Sequence, residues 1–290
     1  VTKRFKIKIP FIAANMDTIC ESKMAIAIGK LGGLGIIHRF MDINKQVEEI
    51  KMVKKEGLLC AAAIGVKDFK ERSEELIKSG VDILIIDIAH GHSKYAGKVL
   101  EYLKQTYPKI DVIAGNIGTK DAADYFISKG ADGIKVGIGP GAVCITRQMT
   151  GVGTPQLTAI MEVYESARGK VPIIADGGIK EPGDVVKALG AGANCVMCGY
   201  IFAGCDECPN QTINTGPSGA SAFDRQYRGS SSMGVKGETA FVEGKEIIVN
   251  SKGPVERVIK KYLDGLSSGM TYIGAKDLNS LIGNVDFILK

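Results

Sequence analysis

The sequence predicts an α/β fold of one domain, a (β/α)8 barrel with a short mobile excursion after its eighth strand. Three observations carry this: eight short apolar runs, helix-like segments between them, and glycines, 37 in all, placed at the ends of both. The runs are apolar throughout rather than alternating, which marks strands buried on both faces of a parallel sheet.

In order, the first run is residues 10–16 (PFIAANM), followed by a helix over 21–31 with an apolar stripe. The second is 34–38 (LGIIH). The third, 58–65 (LLCAAAIG), precedes a charged helical segment over 67–79 whose Leu76 and Ile77 mark its inner side. The fourth is 81–89 (VDILIIDIA) and the fifth 111–117 (DVIAGNI), with a helix over 122–129 ending at Gly130. The sixth is 133–139 (GIKVGIG), the seventh 172–178 (PIIADGG), then a helix over 183–189 ending at Gly190, and the eighth is 195–200 (CVMCGY). Glycine suits the left-handed residue that ends a helix, and helix, glycine, strand recurs as SG-VDILIID, KG-ADGIKVG and GAGA-NCVMCG. Eight alternations within about 200 residues point to a barrel rather than a doubly wound sheet. No Pro/Ser-rich linker interrupts them, so residues 1–290 read as one domain. Beyond the eighth strand, 211–224 reads as an exposed polar loop. Residues 229–253 read as the mobile excursion with a hairpin around 241–249, and 255–266 as an amphipathic helix.

Composition narrows the function. Apolar residues make up 45% and charged residues 24%, with a net charge of +5 spread along the chain. That suits a small anionic ligand and lacks the basic arm of a nucleic-acid binder. No apolar run approaches the roughly 18–20 residues of a membrane helix, and the start, VTKRFKIKIP, has no secretory signal pattern. Seven cysteines, several inside strand-like runs, read as reduced thiols in a cytoplasmic setting.

In such barrels the site lies at the C-terminal ends of the strands. The residues there are Asn15–Asp17, Asp87–His90, Asn116, Gly137–Cys144, Asp176–Gly178 and Gly199. GIGPGAVCITR is the sharpest of them. Its alternate glycines leave backbone N–H and C=O groups open to an anion or a monovalent cation. Cys144 directly after the loop is either a nucleophile or a filler thiol beside a tight turn. GIGPGA is no dinucleotide fingerprint, since it runs into Cys-Ile-Thr rather than a helix. The ADGG and CGY glycines fit a phosphate cradle, with Asp176 placed for ribose hydroxyls, or Asp-Gly-Gly is merely a turn. Cys195-x-x-Cys198 with Cys205-x-x-Cys208 imitates a zinc site, but positions i and i+3 of a strand face opposite sides. His90-x-His92 lacks a third ligand at a convincing spacing.

Along nearly its whole length the chain resembles the IMP dehydrogenase/GMP reductase family. The matching blocks are ANMDT (14–18), LGGLGIIHR (31–39), DIAHGHS (87–93), IAGNIGT (113–119) and KVGIGPGAVCITR (135–147). Further along come GVGTPQLTA (151–159), IIADGGIKEPGDVVKALGAGA (173–193) and YRGSSS (227–232). The resemblance implies the same barrel, a homotetramer, and Cys144 as the nucleophile that attacks purine C2. It implies Asp176 on the ribose, Gly177, Gly178 and Gly199 on the 5′-phosphate side, and Tyr227, Gly229, Ser231 and Ser232 near the nucleotide. Asp87, Asn116 and Arg147 would lie towards a nicotinamide cofactor, and the carbonyls of Gly139, Gly141 and Cys144 would mark a potassium site. Ala142 replaces a serine the family often sets on the phosphate, and the family segment before the first strand is absent, as in a fragment.

Two reactions occur in the family. Its dehydrogenases oxidise IMP to XMP with NAD, commonly carry CBS modules after the second helix, and hydrolyse their intermediate with an Arg-Tyr pair on a long flap. Here residues 53–58 (VKKEGL) pass straight through, and no arginine lies between Gly229 and Glu256. Its reductases convert GMP to IMP and ammonia with NADPH, and an amine leaves readily once protonated. Thr146 and Glu243, the latter in an E-G-K run, match the reductase proton-relay pair, so the resemblance favours the reductase reaction. YRG at 227–229 is closer to the dehydrogenases. The alternatives are a dehydrogenase with a reduced flap and a non-catalytic purine-nucleotide binder.

Overall fold

The computed structural model describes residues 1–209, 212–214, 223–236 and 243–288. Eight parallel strands close into a barrel in chain order: β1 (Phe11–Ala13), β2 (Leu34–Ile37), β3 (Ala61–Ile64), β4 (Ile83–Asp87), β5 (Asp111–Ile117), β6 (Gly133–Val136), β7 (Ile173–Asp176) and β8 (Cys195–Cys198), with β8 pairing back onto β1. Around it run α1 (Ser22–Lys30), α2 (Ile43–Lys55), α3 (Phe69–Lys78), α4 (Lys94–Thr106), α5 (Lys120–Ser128), α6 (Thr146–Thr150), α7 (Gln156–Ala167) and α8 (Pro182–Gly190). This is the (β/α)8 barrel expected from the sequence.

Local chemistry explains where the helices start and stop. Asp42, Ser93 and Thr119 each accept a hydrogen bond from a first-turn amide of α2, α4 and α5. Glu181 and Asp184 form a reciprocal capping box on α8, with Pro182 at its first turn. Gly80 and Gly130, with φ of 92° and 87°, end the turns after α3 and α5 in the left-handed region that the SG-V and KG-A patterns anticipated. α2 ends at Lys55, and the chain passes directly to β3.

Strand alternation divides the core into two layers. Ile12, Leu34, Ile36, Ala61, Ala63, Ile83, Ile85, Ile113, Ile174, Cys195 and Met197 fill the lumen. Their neighbours Phe11, Ala62, Leu84, Ile86, Ile134, Val136, Ala175 and Val196 face the helices. Val1 joins the lumen cluster, and Thr2 and Arg4 are held to Asp111 at the barrel's N-terminal end, with Thr2 Oγ1 2.5 Å from its Oδ2.

Three expectations need correction. The stretch 211–224, read as a loop, contains β9 (Thr212–Asn214) and the start of β10 (Phe223–Arg228), while its residues 211 and 215–222 lie outside the described residues. The strand expected in a local hairpin, β11 (Glu246–Val249), pairs antiparallel with β10 instead, giving a three-stranded sheet in the order β11-β10-β9. Most of this pairing joins segments far apart in sequence, which local turn signals do not encode. Residues 237–242, which include the first two positions of the expected hairpin and part of the excursion, lie outside the described residues. A helix does follow the glycine loop, because α6 begins at Thr146. α9 (Met233–Lys236), α10 (Val255–Ile273), seven residues longer than expected, and α11 (Leu278–Leu281) complete the chain. Among the described residues no helix is long and apolar enough to cross a membrane.

The seam between α1 and β2 is packed to contact. A Cβ on Gly35 would lie 2.4 Å from Ala25 Cα and 2.9 Å from Cys20 Sγ. Gly35→Ala is therefore expected to destabilise the barrel by about 1–3 kcal/mol through overpacking, read as a lower urea midpoint.

Candidate active site

The C-terminal mouth of the barrel opens into a cavity of about 560 Å3. Its floor is set by strand parity. Ile134 and Val136 of β6 face the helices, so Lys135 between them points into the lumen. By the same alternation Asp87 follows Ile85 on β4, and Asp176 follows Ile174 on β7. These three side chains meet above the apolar layers. Lys135 Nζ donates to Asp176 Oδ2 at 2.7 Å, to Asp87 Oδ1 at 3.3 Å, and to Asn116 Oδ1. Asn116 Nδ2 donates to Asp176 Oδ2 at 2.9 Å and to the Gly137 carbonyl at 2.8 Å.

Charge pairing governs this floor. Burial acts to neutralise Asp87, but Lys135 and Arg39 outweigh it and hold its carboxyl below the usual range. Burial likewise acts to lower Lys135, and Asp176 and Asp87 overcome it, so the ammonium titrates above its ordinary value. Arg39 Nε stands 3.6 Å from Asp87 Oδ2, is buried, and makes no hydrogen bond, while its guanidinium carbon lies 4.9 Å from the centre of the Phe40 ring.

The loop after β6 carries the nucleophile candidate. Cys144 N donates to Gly141 O at 3.0 Å, closing the turn. A short antiparallel bridge then joins Cys144 to Gly244, with Ile145 N to Glu243 O at 2.8 Å and Lys245 N to Val143 O at 2.9 Å. Glu243 N and Gly244 N both donate to Ser231 O at 3.1 Å, so three separate segments meet here. Within this frame the Cys144 thiol donates to Thr146 Oγ1 at 3.2 Å, and the Thr146 hydroxyl donates to Glu243 Oε2 at 2.7 Å. Thiol, hydroxyl and carboxylate thus form a continuous path for a proton.

The other thiols differ. Cys20, Cys60, Cys195, Cys198, Cys205 and Cys208 are buried, whereas Cys144 is partly exposed in the cavity wall. Burial pushes Cys60, Cys205 and Cys208 up to about 12 and Cys195 to about 11, and raises Cys20 and Cys198 well above the ordinary thiol value. Cys195 faces the lumen and Cys198 the helices, so the two cannot share a metal ion. Among the described residues no His/Cys/Asp/Glu group could hold one, and His90 and His92 are exposed.

Opposite the thiol lie the glycine ends of β7 and β8. A Cβ on Gly177, at φ 87°, would approach Gly141 N to 3.2 Å, so the loops after β6 and β7 are in close contact. A Cβ on Gly199 would lie 2.7 Å from Tyr227 Oη and 2.9 Å from Met16 Sδ. Gly177, Gly178, Gly199, Tyr227, Gly229 and Ser231 all line the cavity, and burial raises the Tyr227 phenol above its ordinary value. Ser232 does not line it; its side chain is fully buried and its Oγ unpaired. Arg147 lies outside the lining too, with its guanidinium donating to Ile138 O at 3.3 Å and to Thr154 O. Asp87 and Asn116 line the cavity.

For a monovalent cation, the Gly139 and Cys144 carbonyls accept no hydrogen bond among the described residues. The Gly141 carbonyl accepts one, from Cys144 N, and keeps its second lone pair. Uncharged oxygens of this kind suit such an ion.

Sequence reasoning missed Lys135, Arg39, Phe40 and Gln156. Gln156 Nε2 donates to Val136 O at 2.9 Å and Asp176 O at 3.3 Å, fixing the ends of β6 and β7. A lysine inside an otherwise apolar run was the available signal for Lys135. Arg39 sits in the loop after β2 and Gln156 at the first position of α7, neither with a local mark.

A barrel whose mouth holds a thiol–hydroxyl–carboxylate chain beside a glycine cradle defines an oxidoreductase scaffold for purine nucleotides once its relatives are considered. The chain belongs to the IMP dehydrogenase/GMP reductase family: the family's IMP dehydrogenase / GMP reductase domain matches residues 1–290. It is 39% identical over 351 residues to an inosine-5′-monophosphate dehydrogenase of Borreliella burgdorferi, covering 99% of this chain and 87% of that protein. A Cryptosporidium parvum protein of the same name is 38% identical over 340 residues, covering 97% and 83%. A GMP reductase of Streptococcus suis is 38% identical over 289 residues, covering 99% and 86%.

Because Cys144 combines exposure with freedom from burial among apolar groups, iodoacetamide on the native protein at neutral pH is expected to label Cys144 and leave the other six thiols intact. Peptide mass mapping checks this, and labelling at Cys198 ahead of Cys144 would contradict it.

Proposed function

We propose that the protein is a GMP reductase, catalysing NADPH-dependent reductive deamination of GMP to IMP and ammonia. The observation that carries this is the Cys144–Thr146–Glu243 path, with steps of 3.2 Å and 2.7 Å. The thiol proton passes through Thr146 Oγ1 to Glu243 Oε2, and the thiolate adds to C2 of the guanine. The same path, reversed, protonates the 2-amino group, which departs as ammonia when its C–N bond breaks. A nicotinamide cofactor, when bound, would supply the hydride that C2 needs. Release of Cys144 sulfur then yields IMP.

The remaining residues bind and orient. Asp176 takes the ribose, the glycines after β7 and β8 take the 5′-phosphate, and Tyr227, Gly229 and Ser231 border the base. On the far side, Asp87 with the unpaired Arg39 Nε suits the polar carboxamide of a nicotinamide. The carbonyls of Gly139, Gly141 and Cys144 suit potassium, which would stiffen the loop bearing the thiol.

Two further facts support reductase over dehydrogenase. The segment between Gly229 and Glu256 contains no arginine to activate water. The alignments to the two dehydrogenases run 351 and 340 positions, longer than this chain's 290 residues, whereas the reductase alignment runs 289. The dehydrogenase-like Arg228 is ion-paired with Asp17, Nε to Oδ2 at 2.8 Å, and does not line the cavity.

Incubation with GMP and NADPH is expected to give GMP-dependent loss of the reduced-cofactor absorbance with release of ammonia. Glu243→Gln should lower turnover about a hundredfold or more with little change in GMP affinity. Reduction of NAD with IMP, and none of this with GMP, would establish the dehydrogenase instead. Tight GMP binding without turnover, and without trapping of Cys144 by a 6-chloropurine nucleotide, would establish a non-catalytic binder.

A further inference from the structure

Lys135 has no part in the chemistry above, yet its side chain is 2% exposed in a lumen otherwise filled by aliphatic groups. Burying an ammonium costs several kcal/mol unless its protons are well matched. Its three donors meet three acceptors on three strands: Asp87 of β4, Asn116 of β5 and Asp176 of β7. The backbone makes room for it, since a Cβ on Gly115 would lie 2.6 Å from Lys135 Cβ.

The two oxygens of Asp176 are treated differently. Oδ2 accepts from both Lys135 Nζ and Asn116 Nδ2. Oδ1 accepts nothing among the described residues, and the side chain is 21% exposed in the cavity wall. One oxygen is therefore anchored from below while the other, in the cavity wall, is left without a partner among the described residues. Sugar hydroxyls donate best to a carboxylate that is ionised and already oriented.

We propose that Lys135 is the positioning residue for sugar recognition: by anchoring one oxygen of Asp176 it presents the other as an acceptor for ribose hydroxyls, so that ribonucleotides are preferred to their deoxy counterparts. This rests on the assignment of Asp176 to the ribose. Two cations, Lys135 and Arg39, face two carboxylates, Asp87 and Asp176, across the floor. Without Lys135 the carboxylates lose the cation they share, and Asp176 loses one of its two anchors. Asn116 alone then fixes it.

The test is calorimetric binding of GMP and 2′-deoxy-GMP, without cofactor, to the wild type, Lys135→Met, Lys135→Arg and the double variant Lys135→Met with Asp87→Asn. The double variant removes one carboxylate along with the cation and protects folding. The wild type should prefer GMP about tenfold or more, the weight of a hydrogen bond to a charged acceptor. Both methionine variants should lose that preference to within about twofold, and Lys135→Arg should retain most of it. Methionine variants that bind both nucleotides more weakly but keep the wild-type ratio would reduce Lys135 to a structural role and overturn the proposal. So would a wild type with no sugar preference. A wild type with the preference that fails to turn over GMP with NADPH would overturn the reductase assignment and leave this one standing.

Discussion

A pair of backbone hydrogen bonds, Ile145 N to Glu243 O and Lys245 N to Val143 O, underlies everything proposed for this site. They splice the loop after β6 to a segment almost a hundred residues later, at the bridge between Cys144 and Gly244. Glu243 is half-buried, and without that splice its side chain would sample many rotamers at an entropic cost. With it, the carboxylate sits within hydrogen-bond reach of Thr146, whose hydroxyl is already aligned with the thiol. Ser231 O, accepting from the Glu243 and Gly244 amides, brings the loop after β10 to the same point.

The barrel supplies what this splice needs, a rigid rim. Apolar layers of Ile, Ala, Met and Cys fill the lumen beneath, and the charged layer of Asp87, Lys135 and Asp176 caps it. A charged layer there is costlier than an apolar one of the same volume, so its persistence is best understood through ligand recognition rather than stability. The close approach of Gly177 to Gly141 and of Gly199 to Tyr227 shows the same trade. Side chains are given up so that loops from different strands can crowd around a ligand.

Local features were legible in the sequence, and non-local ones were not. Continuous apolar runs marked all eight barrel strands, because burial on both faces is written into the residues themselves. The glycine loop that carries Cys144 was legible for the same reason: GIGPGAVC is a single contiguous statement. The β9–β10–β11 sheet was not, since Arg225 pairs with Val249 and nothing adjacent to either residue announces the other. Arg147 and Ser232 were expected near the ligands from the family resemblance alone, and neither lines the cavity. Each neighbours a cavity-lining residue, but the first turns to loop carbonyls and the second into the protein interior. Lys135 was readable by parity, lying between two helix-facing residues, although an apolar run conceals a single charge from any reading that averages over it.

The central claim is that this proton path handles an amine rather than water at purine C2. Running the reaction backwards puts that directly to the test: the protein is incubated with IMP, oxidised cofactor and isotopically labelled ammonia, and the purine products are resolved by mass spectrometry. The account predicts GMP bearing the labelled nitrogen at C2. Formation of XMP bearing solvent oxygen, with no labelled GMP, would contradict it.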